Sequence, residues 1–202
     1  MRTLQPELAR AVALVNLHDR SASAMAAVLE SHGERDVAVT DADARAIASV
    51  LDALRAVLAT TDRDDAATRL NVLLAANAGP PRLVRHGSWD WHIHVDRDDD
   101  APWAAWLAAS AALALATRLV AAEGVPWGVC AADGCTDAFV HDGRGGSRHW
   151  CSTTCASRER VRRHRAVRRD RPDGAASDGQ VEEIRPRRRP VRRAPGGASA
   201  TA

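Results

Sequence analysis

The position of the cysteines constrains this chain more than any other feature. All four lie in one short segment, as Cys130-x4-Cys135 and, after 15 intervening residues, Cys151-x3-Cys155. Each pair can form a tight turn that aims two thiolates at one point, which is typical of a tetrahedral Zn²⁺ site. So short a segment buries too little apolar surface to fold alone, and metal binding would supply on the order of 10 kcal/mol. Because four thiolates leave no open coordination position, the spacing predicts one structural Zn²⁺ ion, not a catalytic one.

Three other states of the cysteines stay open at this point. Two disulfides would require an oxidising compartment, which nothing else in the sequence indicates. An iron–sulfur cluster also takes four cysteines, and free buried thiols are the remaining alternative. Three histidines lie nearby and could replace a cysteine, although four thiols already complete the shell: His141, His149 and His164.

An arginine-rich helix is predicted over residues 152–169, directly after the third cysteine. Ser152 is a suitable N-cap, and Cys155 then falls in the first turn, where the helix dipole favours a thiolate. Four arginines follow at intervals of 4, 3 and 4 residues and therefore share one helix face, where they can meet phosphates or guanine edges. A helix that merely aids solubility is the alternative. The predicted nucleic-acid-binding residues are Arg148, Arg158, Arg162, Arg163, Arg165, Arg168 and Arg169.

The charge distribution supports an anionic partner. The chain has 28 basic residues, all arginine, and a formal net charge of +2. Residues 1–129 hold 12 arginines against 17 acids, net −5, whereas residues 130–202 hold 16 arginines against 9 acids, net +7. The near-neutral total is thus a cancellation, and such asymmetry favours a module that binds nucleic acid.

The first part of the chain is predicted to be helical. Alanine, the best helix former, occupies 42 of the 202 positions, and apolar residues recur at helical spacing over 6–18, 22–31, 41–60, 64–77 and 101–123. A short hairpin is predicted over 82–86 and 91–95, turning at Gly87-Ser88. The expected fold is mainly α with a small β-hairpin. A helical domain (1–125) precedes a treble-clef-like or ribbon-type zinc finger that ends in the basic helix (126–171), and a disordered basic tail follows (172–202).

The sequence predicts a cytoplasmic protein without a membrane segment. The start of the chain has no adequate apolar run followed by a cleavage site, so no signal peptide is expected. Residues 101–122 are apolar, but they are mostly alanine, contain Arg118, and favour a buried amphipathic helix over a bilayer span.

Four residues of the helical domain are candidates for ligand binding: Asn16, Trp91, His92 and His94. The two histidines alternate on a predicted strand, so they share a face and could ligate a metal or a small molecule, or simply form a polar surface. Asn16 could instead cross-link neighbouring elements by hydrogen bonds, and Trp91 could pack with Trp89 in the core. The sequence contains no phosphate loop, nucleophile elbow or HExxH, so no enzyme activity is expected.

The segment from Val129 to Arg169 resembles the CGNR zinc finger, a bacterial module of presumed DNA-binding regulators. The resemblance is carried by Gly128-Val129-Cys130-Ala131-Ala132, Phe139-Val140-His141-Asp142, Arg148-His149-Trp150-Cys151-Ser152 and the basic helix. The family's Cys-Gly-Asn-Arg stands here as Cys155-Ala156-Ser157-Arg158. The ligand and the arginine persist, so zinc binding is unaffected, whereas any contact that the asparagine makes is lost.

The preceding part resembles the helical ABATE-type domain, described as a stress-induced transcription regulator, that usually precedes this finger. The similar pieces are Leu14-Val15-Asn16, Leu70-Asn71-Val72-Leu73-Leu74 and Trp91-His92-Ile93-His94. The resemblance implies a DNA-binding transcription regulator whose first domain takes an effector or a second subunit, and a homodimer fits a finger that reads one half-site. The alternative is a zinc-stabilised module that binds RNA or another protein.

Overall fold

The computed structural model describes residues 5–85, 91–98, 100–141 and 149–169. These residues form six helices and two antiparallel hairpins, so the prediction of a mainly α fold is confirmed. The order is α1 (Pro6–Val15), α2 (Ala22–Ser31), α3 (Asp41–Ala59), α4 (Arg63–Asn77), β1 (Ala78–Val84), β2 (His92–Asp96), α5 (Trp103–Val120), β3 (Trp127–Val129), β4 (Ala138–Val140) and α6 (Thr153–Arg169). The predicted turn at Gly87-Ser88, Trp89 and the predicted tail lie outside the described residues.

Local capping signals place the starts of α3 and α4. Thr40 begins α3 with a capping box, in which its hydroxyl accepts from the Asp43 amide (3.1 Å) and the Asp43 carboxylate accepts from the Thr40 amide (3.0 Å). Asp62 caps α4 in the same way through the Asp65 amide (2.8 Å). These bonds satisfy amides that have no partner within the helix, so the sequence alone sets where α3 and α4 begin.

Helix α5 lies at the centre of the helical domain. It packs against α1, α3, α4 and the β1–β2 hairpin, and alanines from Ala108 to Ala112 are fully buried along it. Such small side chains allow neighbouring helices to approach closely. By length and composition α5 is the one described helix that could cross a membrane, but its alanine and leucine face is part of the core.

The β1–β2 hairpin leaves two of its large apolar side chains exposed. Leu83 pairs with Ile93 across the strands, and both are exposed, at 69% and 57%. The next cross-strand pair, Arg82 and His94, is half-buried, and Asp96 at the end of β2 is buried. Val95 on β2 is also buried and Val84 on β1 is half-buried, so the hairpin buries polar and apolar side chains together.

The hydrophobic core continues across residue 125, where the sequence changes character. Trp127, Ala138 and Val140 from β3 and β4 belong to the same buried cluster as the leucines of α1 and α3. The Trp127 indole donates a hydrogen bond to the Val57 carbonyl of α3 (3.0 Å). The second hairpin is thus held by the helical domain on one side, while the cysteines form a separate small cluster beyond it.

The side chain of Asn16 fastens β4 to the end of α1. Its amide nitrogen donates to the Ala138 carbonyl (2.9 Å), and its amide oxygen accepts from the Ala138 amide (2.8 Å). These are the two bonds that a neighbouring strand would make, so Asn16 satisfies both backbone groups of Ala138. The cross-linking interpretation of Asn16 agrees with this geometry, and no contact in the structure indicates a ligand there.

Candidate metal centre and nucleic-acid interface

The first pair of cysteines lies on the turn that joins β3 to β4. The strands pair antiparallel with Trp127 opposite Val140, which brings Cys130 and Cys135 to the end of the hairpin. The Cys130 amide donates to the Asp137 carbonyl (2.8 Å), and the Cys135 amide donates to the Ala132 carbonyl (3.0 Å). Gly134 adopts a positive φ of 68°, a conformation that glycine adopts without strain.

The second pair lies at the start of α6. Cys151 precedes the helix, and Cys155 occupies its first turn, where its amide donates to the Ser152 hydroxyl (3.2 Å) as the sequence predicts. The Cys151 amide donates toward the Cys130 sulfur (3.4 Å), which ties the helix to the hairpin. The sequence predicts a treble-clef-like or a ribbon-type finger. A turn on a hairpin combined with a helix N-terminus is the treble-clef-like arrangement.

The four sulfur atoms converge. All lie within 4.8 Å of one another, with the Cys135 and Cys151 sulfurs 3.8 Å apart and the Cys151 and Cys155 sulfurs 3.6 Å apart. A tetrahedral ion with Zn–S bonds of about 2.3 Å requires sulfur separations of about 3.8 Å. The cysteines are free and too far apart for disulfides, whose S–S bond is about 2.05 Å, so the disulfide alternative is wrong. An iron–sulfur cluster would interpose several atoms and hold the sulfurs further apart.

The thiols differ in how readily they ionise. Burial opposes the ionisation of Cys130, but hydrogen bonds from the amides of Cys151 and Ala132 outweigh it and lower its pKa to about 7. Burial raises the pKa of the Cys151 thiol. Cys130 is therefore ready to act as a thiolate ligand near neutral pH, whereas Cys151 needs the charge of a bound cation to lose its proton.

The predicted row of arginines lies along one open groove. Arg158, Arg162, Arg165 and Arg169 all line a groove of about 960 Å³ that runs along α6 and ends near Asp133 of the cysteine turn. The spacing of 4, 3 and 4 residues thus brings these four side chains together. Arg163 lies elsewhere, with its guanidinium 5.9 Å from the Trp150 ring. Arg148 lies outside the described residues and stays a prediction.

Two arginines of the row have partners within the chain. Arg158 donates to the Asp133 carbonyl (3.2 Å) and approaches the Cys155 sulfur (3.8 Å). Arg162 binds the Glu159 carboxylate through Nε and Nη2 at 2.6 to 3.0 Å, and Arg163 approaches the same group at 3.4 Å. The hydrogen bonds from Arg162 above all lower the pKa of Glu159 to about 2, so this carboxylate stays ionised.

Sequence reasoning passed over Glu159, although its signal was present. It is the one acid among the 17 residues of α6, and it precedes arginines by three and four residues, the spacing at which helical side chains meet. The carboxylate is 3% exposed, and the arginines that contact it lie at the surface. It therefore neutralises part of the charge of the row.

The outer part of α6 carries the remaining charge into solvent. Every residue from Arg160 to Arg169 is exposed. Within the described part of the chain, five arginines of α6 form no ion pair: Arg158, Arg160, Arg165, Arg168 and Arg169. The helix is thus anchored at its N-terminus by the metal centre and presents a basic surface along its last three turns.

The structure also brings together two of the candidates in the helical domain. The Nε2 atoms of His92 and His94 are 3.1 Å apart on β2. Trp91 beside them is 62% exposed, with the Arg85 guanidinium 5.3 Å from its ring, so its expected place in the core is wrong.

Comparison with known proteins bears on the metal centre. No curated protein matches the chain. Residues 127–168 match the family model described as the CGNR zinc finger, and this range includes β3, β4, all four cysteines and nearly all of α6. The match does not extend to the helical domain, whose resemblance to the ABATE-type domain stays a prediction. This segment is therefore similar to the CGNR zinc finger, and its four clustered cysteines are consistent with one structural zinc ion.

Proposed function

We propose that this protein is a cytoplasmic, DNA-binding regulator of transcription that has no catalytic activity. The observation that carries the proposal is the combination of a metal centre with an exposed helix: α6 contains seven arginines and one acid, and the cysteines hold its first turn in place. A structural zinc ion would keep the helix in a fixed direction. The arginine surface then meets its anionic partner with little loss of conformational freedom.

The shape of α6 favours duplex DNA over duplex RNA. A helix of 17 residues is about 25 Å long, and its outer ten residues are free of the domain core. The major groove of B-DNA, about 12 Å wide, admits an α-helix, whereas the deep, narrow major groove of A-form RNA does not. The groove-lining arginines would contact phosphates and guanine edges once α6 lies in the DNA major groove.

A double substitution within the groove tests the proposal. Arg165→Gln with Arg169→Gln removes two unpaired charges, and each phosphate contact contributes about −0.9 to the slope of log affinity against log salt. We expect the slope to become less negative by about 1.8 and the affinity to fall about 60-fold at about 0.1 M salt. Fluorescence anisotropy with duplex DNA at several salt concentrations measures both quantities.

The matched control removes the same charge from the helical domain. Arg35 and Arg45 are exposed, so Arg35→Gln with Arg45→Gln changes the net charge equally without touching α6. Its slope should equal that of the unaltered protein. Equal slopes for both double variants would contradict the placement of DNA along α6.

The alternative, a zinc-shaped module for RNA or for another protein, predicts a different outcome. Selection from random duplex DNA would then enrich no motif, and single-stranded RNA of equal length would displace duplex DNA at equal salt. Enrichment of one DNA motif, retained against excess RNA, supports the transcription regulator.

The helical domain is proposed to bind an effector or a second subunit. A finger with one recognition helix reads a short half-site, so a homodimer would double the contacts. Sedimentation equilibrium with and without duplex DNA distinguishes one chain per site from two. Induction of the gene under stress, which the ABATE-type resemblance implies, belongs to the same proposal.

A further inference from the structure

The β1–β2 hairpin holds two imidazoles that face each other. His92 and His94 alternate on β2, and their Nε2 atoms are 3.1 Å apart with ring centroids separated by 4.9 Å. Both side chains are half-buried on the polar face of the hairpin, so water surrounds them less than it would on an open strand. Two ring nitrogens so close together compete for one proton or share one cation.

The separation of these nitrogens suits chelation. An ion about 2.05 Å from each of two nitrogens that lie 3.1 Å apart subtends an angle of about 100°. That angle lies between the values for octahedral and tetrahedral coordination. Zinc, copper, iron and nickel ions all favour imidazole ligands, so the pair needs little movement to hold such an ion.

A buried carboxylate supports one of the two rings. The Asp96 Oδ1 atom lies 3.2 Å from Nδ1 of His94, and Asp96 is 6% exposed. Arg82 lies 3.6 Å from the same oxygen and balances its charge. The contact places a carboxylate beside the Nδ1 edge of the ring, the position that a carboxylate takes behind many metal-ligating histidines.

The burial of polar groups in the hairpin is a further observation that points the same way. His92, His94 and Asp96 are half-buried or buried, while the apolar Leu83 and Ile93 remain exposed. Withdrawing polar side chains from water costs free energy unless they are paired. A ligand that binds these side chains would offset that cost.

We propose that His92 and His94 chelate a divalent first-row transition ion, such as Zn²⁺, through their Nε2 atoms. Asp96 acts behind them as a positioning residue for His94. Two imidazoles occupy two coordination positions, and water or a small anion completes the shell. This site is separate from the four-cysteine centre and lies in the helical domain, so it does not depend on the proposed binding of DNA.

Counting bound ions tests the proposal. The zinc-loaded chain is dialysed against excess Zn²⁺, and the bound metal is measured by mass spectrometry with inductively coupled plasma. We expect two ions per chain for the unaltered protein and one for His92→Gln or His94→Gln. Asp96→Asn should weaken the second ion about 10- to 100-fold. The matched control, His164→Gln on the exposed outer part of α6, should keep both ions.

A second measurement avoids any doubt about folding of the variants. Long-range ¹H–¹⁵N spectra of the unaltered protein report the ring nitrogens of all histidines. Adding Zn²⁺ beyond one equivalent should shift the Nε2 signals of His92 and His94 first. A single bound ion in excess zinc would overturn the proposal. Equal numbers of bound zinc ions in His92→Gln and His164→Gln would mean adventitious binding only, and this result would overturn the proposal as well.

Discussion

The Glu159 carboxylate should limit how strongly this protein binds DNA. It holds Arg162 through three contacts of 2.6 to 3.0 Å and draws Arg163 to 3.4 Å. Because the pKa of Glu159 is lowered to about 2, the charge is present at every pH used for binding assays. Glu159→Gln removes this charge and releases the Arg162 guanidinium at the groove.

The size of the effect follows from the number of released contacts. One additional phosphate contact makes the slope of log affinity against log salt more negative by about 0.9. At about 0.1 M salt that contact strengthens binding about 8-fold. Arg163 lies outside the groove, so we expect Glu159→Gln to bind duplex DNA about 8-fold more tightly, with the steeper salt dependence.

Anisotropy titrations over a range of salt concentrations measure the slope directly. The matched control is Asp65→Asn. Asp65 pairs with Arg69 on α4 at 2.8 Å, so this variant also loses one carboxylate and releases one guanidinium, but at a position distant in the sequence from α6. It should bind DNA like the unaltered protein. If Glu159→Gln leaves slope and affinity unchanged, or if Asp65→Asn matches it, the assignment of the α6 groove as the DNA surface is refuted.

Three further predictions concern the metal, the core and pH. Cys151→Ser, or removal of zinc with a chelator, should lower the helix content seen by circular dichroism and abolish DNA binding, since metal binding contributes on the order of 10 kcal/mol to such a finger; unchanged spectra would contradict it. Asn16→Ala leaves both backbone groups of Ala138 without their partner, so it should lower the free energy of unfolding, measured in urea, by about 1–3 kcal/mol. The control Asn71→Ala, on the exposed surface of α4, should change this free energy by less than about 0.5 kcal/mol. The stability that the ionised Glu159 carboxylate contributes is present above its ordinary pKa of 4.5 and is lost as the pH falls toward about 2. In Arg162→Gln, NMR titration of the carboxyl groups should show the pKa of Glu159 returning toward 4.5. A pKa that stays near 2 in this variant would contradict the ion pair.

The metal centre was predictable because its parts are local. The two cysteines of each pair are at most five positions apart in the sequence. A turn or a capped helix start is therefore enough to place both sulfur atoms. The prediction of Ser152 as the cap and of the arginine face needed only helical geometry. The same holds for α2, whose predicted bounds of 22–31 are those observed, and for α3, whose capping box stands in the sequence.

Two of the boundaries that differ from the prediction show what local sequence patterns miss. The first helix was predicted to reach residue 18, but α1 ends at Val15, where Asn16 turns its side chain to Ala138, 122 residues away. Strand β1 was predicted to begin at residue 82, but it begins at Ala78 and includes Pro80 and Pro81. A proline has no amide to donate, yet a strand at the edge of a two-stranded sheet tolerates it.

The sequence by itself determined the four cysteine ligands, the helix that follows them, and the split between an acidic and a basic half of the chain. Only the tertiary structure decided which polar groups meet across the fold: Asn16 with Ala138, and Trp127 with Val57. The physical reason is how far apart in the sequence the contacting residues lie. Turns, caps and helix faces depend on residues a few positions apart, whereas these contacts depend on how α1, α3 and the hairpins pack, and no periodicity of the sequence encodes that packing.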